Sequence, residues 1–135
     1  MYFGETINEE LIMTKTYADM LSAARAEVEN ISVEDAKKLI GDPNVVFLDV
    51  RDGTEVALGK VKGALHVQRG LLESKVDPAS PGYVKEITPE KTLITYCASG
   101  GRAALSGQTL KAMGYSKVLN LGKFQDWKDG GGEVE

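Results

Sequence analysis

The chain has 135 residues, 42% apolar and 27% charged, with a formal net charge of −4. That is the size of one domain with room for a core that needs no staples. Its single cysteine allows neither an intramolecular disulfide nor a multi-cysteine metal site. The interspersed charges leave no footprint for nucleic acid, and no apolar run approaches the roughly 18 residues of a membrane span.

The first run, MYFGETINEELIMTK, carries early acidic residues and lacks the basic-then-apolar layout of an export signal. A reducing, cytoplasmic setting is therefore expected, with neither membrane nor nucleic acid as partner. Residues 1–31 read as a helical extension. Tyr17, Met20, Leu21, Ala24, Val28 and Ile31 fall at helical spacing, which predicts an amphipathic helix over Lys15–Asn30. Its apolar stripe needs a surface, either on its own domain or on a second copy in a homodimer. Ser32 followed by Asp35 signals a new helix start, running to about Ile40, where Gly41-Asp42-Pro43-Asn44 stops it.

The main domain is placed at residues 32–135. VVFLDV, Val45 to Val50, is a nearly continuous β-branched and apolar run, as in a parallel strand buried on both faces. Gly63–Val67 is a second short strand, Leu93–Cys97 a third and Lys117–Leu121 a fourth. A helix is expected over Gly101–Met113, stopped by Gly114. Strands alternating with helices predict an α/β sheet with helices on both faces, whose ligands bind beyond the carboxyl ends of the strands. Cys97 stands at such an end.

The segment Cys97-Ala98-Ser99-Gly100-Gly101-Arg102 then reads as a chemical device. A strand delivers the sulfur, and two glycines let the backbone turn its amides inward. The following helix aims its positive dipole end at the same point, and Arg102 adds a charge. These conditions stabilise a thiolate, the nucleophilic form. The alternative is that Cys97 is a small buried hydrophobe at a strand end. Neither G-x-G-x-x-G nor a phosphate-loop G-x-x-x-x-G-K-[ST] is present. Cysteine phosphatases use a Cys-x5-Arg loop, whereas four residues separate Cys97 from Arg102. The shorter loop suits a smaller guest, such as one extra sulfur atom.

FLDVRDGTE (Phe47 to Glu55), GKVKGALHVQRGLLE (Gly59 to Glu73), DPASPGY (Asp77 to Tyr83), CASGGR, KAMGY and LGKFQDW occur in that order. From about Ile31 to Glu135 the chain resembles the rhodanese (sulfurtransferase) family, with RGLLE and DPASPGY similar to one group of single-domain bacterial members. The resemblance implies a parallel five-stranded sheet flanked by helices. It also implies a cysteine, here Cys97, that takes a sulfane sulfur from a donor such as thiosulfate. The persulfide would be held by backbone amides of Ala98, Ser99, Gly100, Gly101 and Arg102, with Arg102 helping to bind the anionic donor. The sulfur would pass to cyanide or a thiol, with no cofactor and no metal. Ala98 stands where members favouring thiosulfate often have a basic residue, so the donor stays open. A non-catalytic rhodanese-like binding module or a thiol redox sensor is the alternative.

Further candidates carry bland readings too. Arg69 either pairs with Glu73 one turn on or points into the pocket to steer an anion. Asp49 and Arg51 read as an ion pair or as backbone hydrogen-bonding groups fixing adjacent loops, with Arg51 a lesser candidate for substrate contact. His66, the single histidine, reads as part of a structural hydrogen-bond network, with orienting a donor or acting as a base the lesser reading. Tyr96 is expected to pack under the loop, Trp127, Phe124 and Leu121 in the core, and Lys60 and Lys62 on a solvated edge.

Overall fold

A computed structural model describes residues 14–135; most of the run read for an export signal lies outside these. The elements are α1 (Tyr17–Glu27), β1 (Glu29–Asn30), α2 (Val33–Lys37), β2 (Val45–Asp49), α3 (Gly53–Val56) and β3 (Leu65–His66), followed by a 3-10 turn (Arg69–Leu71), α4 (Leu72–Val76), β4 (Thr92–Cys97), α5 (Gly101–Ala112), β5 (Val118–Lys123) and α6 (Phe124–Asp129). The five strands form one sheet in the order β1-β5-β4-β2-β3, and every pair is parallel. This is the α/β architecture the sequence predicts.

Alternation along the two inner strands explains why they read as continuous apolar runs. Val46, Leu48 and Val50 of the β2 segment, with Leu93 and Cys97 of β4, join one core layer beneath α4 and α5. Phe47, Ile94 and Tyr96 point the other way, into a layer with Ala36 of α2 and Phe124 and Trp127 of α6. Both faces are covered, so no position along these strands can be polar without a partner. Each fully buried Leu or Ile here contributes about 1.5–3 kcal/mol relative to exposure.

The expected N-terminal helix is shorter than its apolar spacing predicts. Thr16 caps it through a capping box with Asp19, and it ends at Glu27. Val28 turns extended, with φ −110°, and Glu29–Asn30 become a strand beside Leu119 and Asn120 of β5. Val28 is buried in the core, so its apolar character serves the sheet junction rather than a further helical turn. The fifth strand therefore arises where the helix was expected to continue. The stripe docks on the chain's own α5. A side chain at Gly101 would overlap the Tyr17 hydroxyl, and one at Gly107 would press on Val28. Gln108 and Lys111 of α5 also hydrogen-bond Glu27.

The other boundaries move by one to three residues. The helix begun at Ser32, whose Oγ accepts from Asp35 N at 3.1 Å, is regular only to Lys37 before turning toward Gly41. The second strand narrows to Leu65–His66, and the last extends to Lys123. Among the described residues, no helix is long and apolar enough to cross a membrane.

Candidate active site

Cys97 ends β4, the central strand, and is 0% exposed. The chain then bulges through Ala98 and Ser99, both exposed, and enters α5 through Gly100 at φ +96°. That left-handed conformation is what requires a glycine there. Gly100 N–H donates to Cys97 Sγ at 3.0 Å and Ala103 N–H at 3.4 Å. Gly100 is the N-cap of α5 and has no side chain to cap with. The sulfur takes that place, accepting from the N3 amide as a serine or aspartate N-cap would. Thr95 Oγ1 donates to Ala103 O at 3.0 Å, tying the first turn of α5 to the strand that carries the cysteine.

The sulfur-facing amides are thus those of Gly100 and Ala103, and Ala103 lies one residue beyond the stretch singled out in the sequence. The N3 rule at a side-chain-free cap would have identified it. Gly101 has helical geometry. A Cβ there would overlap the Tyr17 hydroxyl of α1, with Leu21 at ordinary contact distance, and the loop needs no tight turn at that position.

Arg102 leaves the first turn of α5 and meets Glu55, Nη1–Oε1 2.7 Å and Nη2–Oε2 3.0 Å. Glu55 is the N3 residue of α3, and its carboxylate also accepts from Asp52 N–H at 3.1 Å in a capping box. The Arg102 hydrogen bonds hold the Glu55 carboxyl below its ordinary value, and Glu55 raises Arg102 in turn. Glu55 was not among the sequence candidates; its signal was the Asp-x-x-Glu spacing of a capping box. Arg69 pairs with Glu73, both contacts 3.2 Å, and reaches Thr109 Oγ1 at 3.2 Å. Of its two readings, the ion pair is the one formed.

Behind the loop, Asp49 and Arg51 form a buried pair, Nη2–Oδ2 2.7 Å and Nε–Oδ1 2.9 Å. Arg51 also donates to Gly59 O at 2.6 Å, and its guanidinium lies 4.4 Å from the Phe124 ring centroid. Its hydrogen bonds to Asp49 raise its affinity for the proton. Tyr96 OH donates to Asp49 Oδ2 at 2.7 Å and accepts from Val61 N at 3.0 Å. Burial, then Asp49, pushes the phenol well above its usual range, so it remains a donor at any working pH. His66 Nε2 bonds Arg51 O at 2.7 Å. Lys60 and Lys62 pair with Glu135 and Glu133 of the C-terminal segment, where Val134 forms an isolated antiparallel bridge with Val61. This network fixes the backbone on the side of β2 away from the sulfur. Breaking such a buried pair costs about 3–5 kcal/mol.

A five-stranded parallel sheet with a cysteine-to-arginine loop at its central strand defines a class, and the family model for the rhodanese-like domain matches residues 32–129. The chain belongs to the rhodanese-like domain family. It is 33% identical over 118 residues to the thiosulfate:glutathione sulfurtransferase of Saccharomyces cerevisiae, covering 80% of this chain and 84% of that one. It is 27% identical over 104 residues to the thiosulfate sulfurtransferase GlpE of Tolumonas auensis, covering 76% and 91%. Among solved structures it is similar to a Rhodopseudomonas palustris protein of unknown function described as a possible tyrosine phosphatase. That match has 35% identity and a TM-score of 0.85, covering 92% of this chain and 97% of that one. It reaches into the N-terminal segment that the family model leaves out.

Proposed function

We propose that this protein is a rhodanese-type sulfurtransferase that carries a sulfane sulfur as a persulfide on Cys97. The observation that carries the reading is the pair of amides, Gly100 in the loop and Ala103 in the first turn of α5, aimed at Sγ. Such donors favour negative charge on sulfur, both on the thiolate and on the persulfide that replaces it. The likeness to proteins named sulfurtransferases, at 27–33% identity, supports the same chemistry.

In the first half-reaction the Cys97 thiolate attacks the outer sulfur of thiosulfate. A Cys97 S–S bond forms, the sulfur–sulfur bond of the donor breaks, and sulfite leaves with the electron pair. In the second, a thiolate or cyanide attacks the outer sulfur of the persulfide. The Cys97 S–S bond breaks, its electrons return to Sγ, and the acceptor leaves as a persulfide or as thiocyanate. No external oxidant or reductant is needed. Phosphate-ester hydrolysis is disfavoured because the four-residue loop is one residue shorter than the Cys-x5-Arg loop that wraps a phosphate, and because Arg102 already shares its charge with Glu55.

The test is the intact mass of the protein after incubation with thiosulfate. One added sulfur atom (~32 Da), removed by reductant and absent in Cys97→Ser, is expected. A fully reduced Cys97 that gains no mass from thiosulfate, an α-keto mercapto acid (whose carbon leaves as an enolate) or a protein persulfide would overturn the reading. So would hydrolysis of an aryl phosphate in the absence of sulfur transfer.

A further inference from the structure

The loop's own cation is compensated, since Arg102 shares its charge with Glu55. Two others stand beside the loop. A Cβ placed on Gly100 would lie 3.7 Å from Arg25 Nη2 and 4.0 Å from Lys123 Cγ. Lys123 ends β5 and is the register partner of Cys97 on the neighbouring strand, so their Cα atoms are about 5 Å apart. Arg25 comes from α1, outside the residues the family model matches. Its side chain follows the helical tilt toward the N-terminus. Gly100 N–H touches the sulfur, so standard bond lengths put the Arg25 guanidinium within about 9 Å of Sγ. Among the described residues, no carboxylate lies within salt-bridge distance of either cation.

We propose that Arg25 and Lys123 form a cationic subsite beside the Cys97 loop that takes the negatively charged end of a small sulfur substrate. The proposal rests on the sulfur-transfer reading and assigns part of the site to the N-terminal helix. Tyr17, Leu21 and Arg25 recur at four-residue spacing along one face of α1, and Tyr17 and Leu21 seat that face on Gly101. The docking holds Arg25 over the adjoining Gly100. Two cations close to the reaction centre attract an oxyanion or carboxylate at a range comparable to the Debye length of about 8 Å in physiological salt. The same chemistry serves the oxyanion of a donor or the carboxylate of an acceptor thiol.

Binding is read first, without transfer, by titrating thiosulfate and 3-mercaptopropionate into Cys97→Ser and following the Gly100 amide by NMR. Adding Arg25→Gln or Lys123→Gln should weaken binding of at least one anion by roughly threefold to tenfold each, and Arg25→Lys should restore most of it. In the chain with Cys97 intact, slower loading by thiosulfate in Arg25→Gln assigns the subsite to the donor. Slower transfer to 3-mercaptopropionate, with transfer to 2-mercaptoethanol unchanged, assigns it to the acceptor. Affinities for both anions that stay within experimental error in both variants overturn the proposal. If the wild type takes no sulfur from thiosulfate, the choice of that donor fails, while the titration still decides the subsite.

Discussion

Arg102 and Glu55 meet through two parallel hydrogen bonds, 2.7 and 3.0 Å, that join the first turn of α5 to α3 across the mouth of the cysteine loop. The carboxylate therefore offsets the charge that the loop's arginine presents to an anion. Removing each partner should shift substrate use in opposite directions. Glu55→Gln frees the guanidinium and is expected to lower the KM for thiosulfate about twofold to fivefold. Arg102→Gln leaves an uncompensated carboxylate near the sulfur and should raise it by at least that factor. Steady-state kinetics at low and high salt check both, with the differences shrinking as salt rises. Parallel shifts in the two variants would mean that the pair only holds α3 in place.

The same pair makes stability depend on pH. Arg102, first, and the Asp52 backbone hold Glu55 below its ordinary value of 4.5. A depressed carboxyl contributes stability that is fully present above its unfolded value and is lost as pH falls through the folded value. The stability difference between wild type and Glu55→Gln should be flat from about pH 6 to 8 and shrink below about pH 4.5. Urea denaturation across that range measures it. The pair is part-exposed, so the plateau should be modest, about 1 kcal/mol or less.

Gly101 and Tyr17 should behave as a coupled pair. Gly101→Ala places a methyl group on the Tyr17 hydroxyl and is expected to loosen α1, costing about 1–2 kcal/mol. In a Tyr17→Ala background the same change should be neutral or slightly stabilising, because alanine outranks glycine in a helix. A double-mutant cycle by thermal denaturation reads the coupling. Additive effects would show that Tyr17, which is 63% exposed, simply swings aside.

Cys97 is fully buried, with its sulfur against two amides. Small reagents and small anions should modify it, while a bulky aromatic disulfide reacts at least about tenfold more slowly than with a free thiol in the unfolded chain. Timed labelling followed by mass analysis checks this. Equal rates for large and small reagents would show that the loop opens widely.

The inner strands and the cysteine loop were legible because their signals are local. VVFLDV and LITYC alternate between two buried layers, and Gly100 marks the turn from the thiol-bearing strand into the next helix. The ion-pair readings of Asp49 with Arg51, and of Arg69 with Glu73, rested on short spacings and appear in the structure. What the sequence hid depends on distant contacts. Arg102 meets a carboxylate 47 residues away, in a helix too short to show periodicity. The switch from helix to strand at Val28 follows from β5 lying alongside, which no apolar spacing within the segment encodes. Gly101 looked like a loop residue because its reason for being glycine lies on α1.

The short β1 strand also guards an edge. Its two residues pair with Leu119 and Asn120 of β5, yet they precede the family boundary at residue 32. A chain trimmed to that boundary would leave β5 with open backbone donors and acceptors, next to the apolar face of α5 that α1 covers. Open strand edges recruit other chains. Cutting at the boundary suggested by the family alone should therefore turn a self-contained sheet into one that associates with copies of itself.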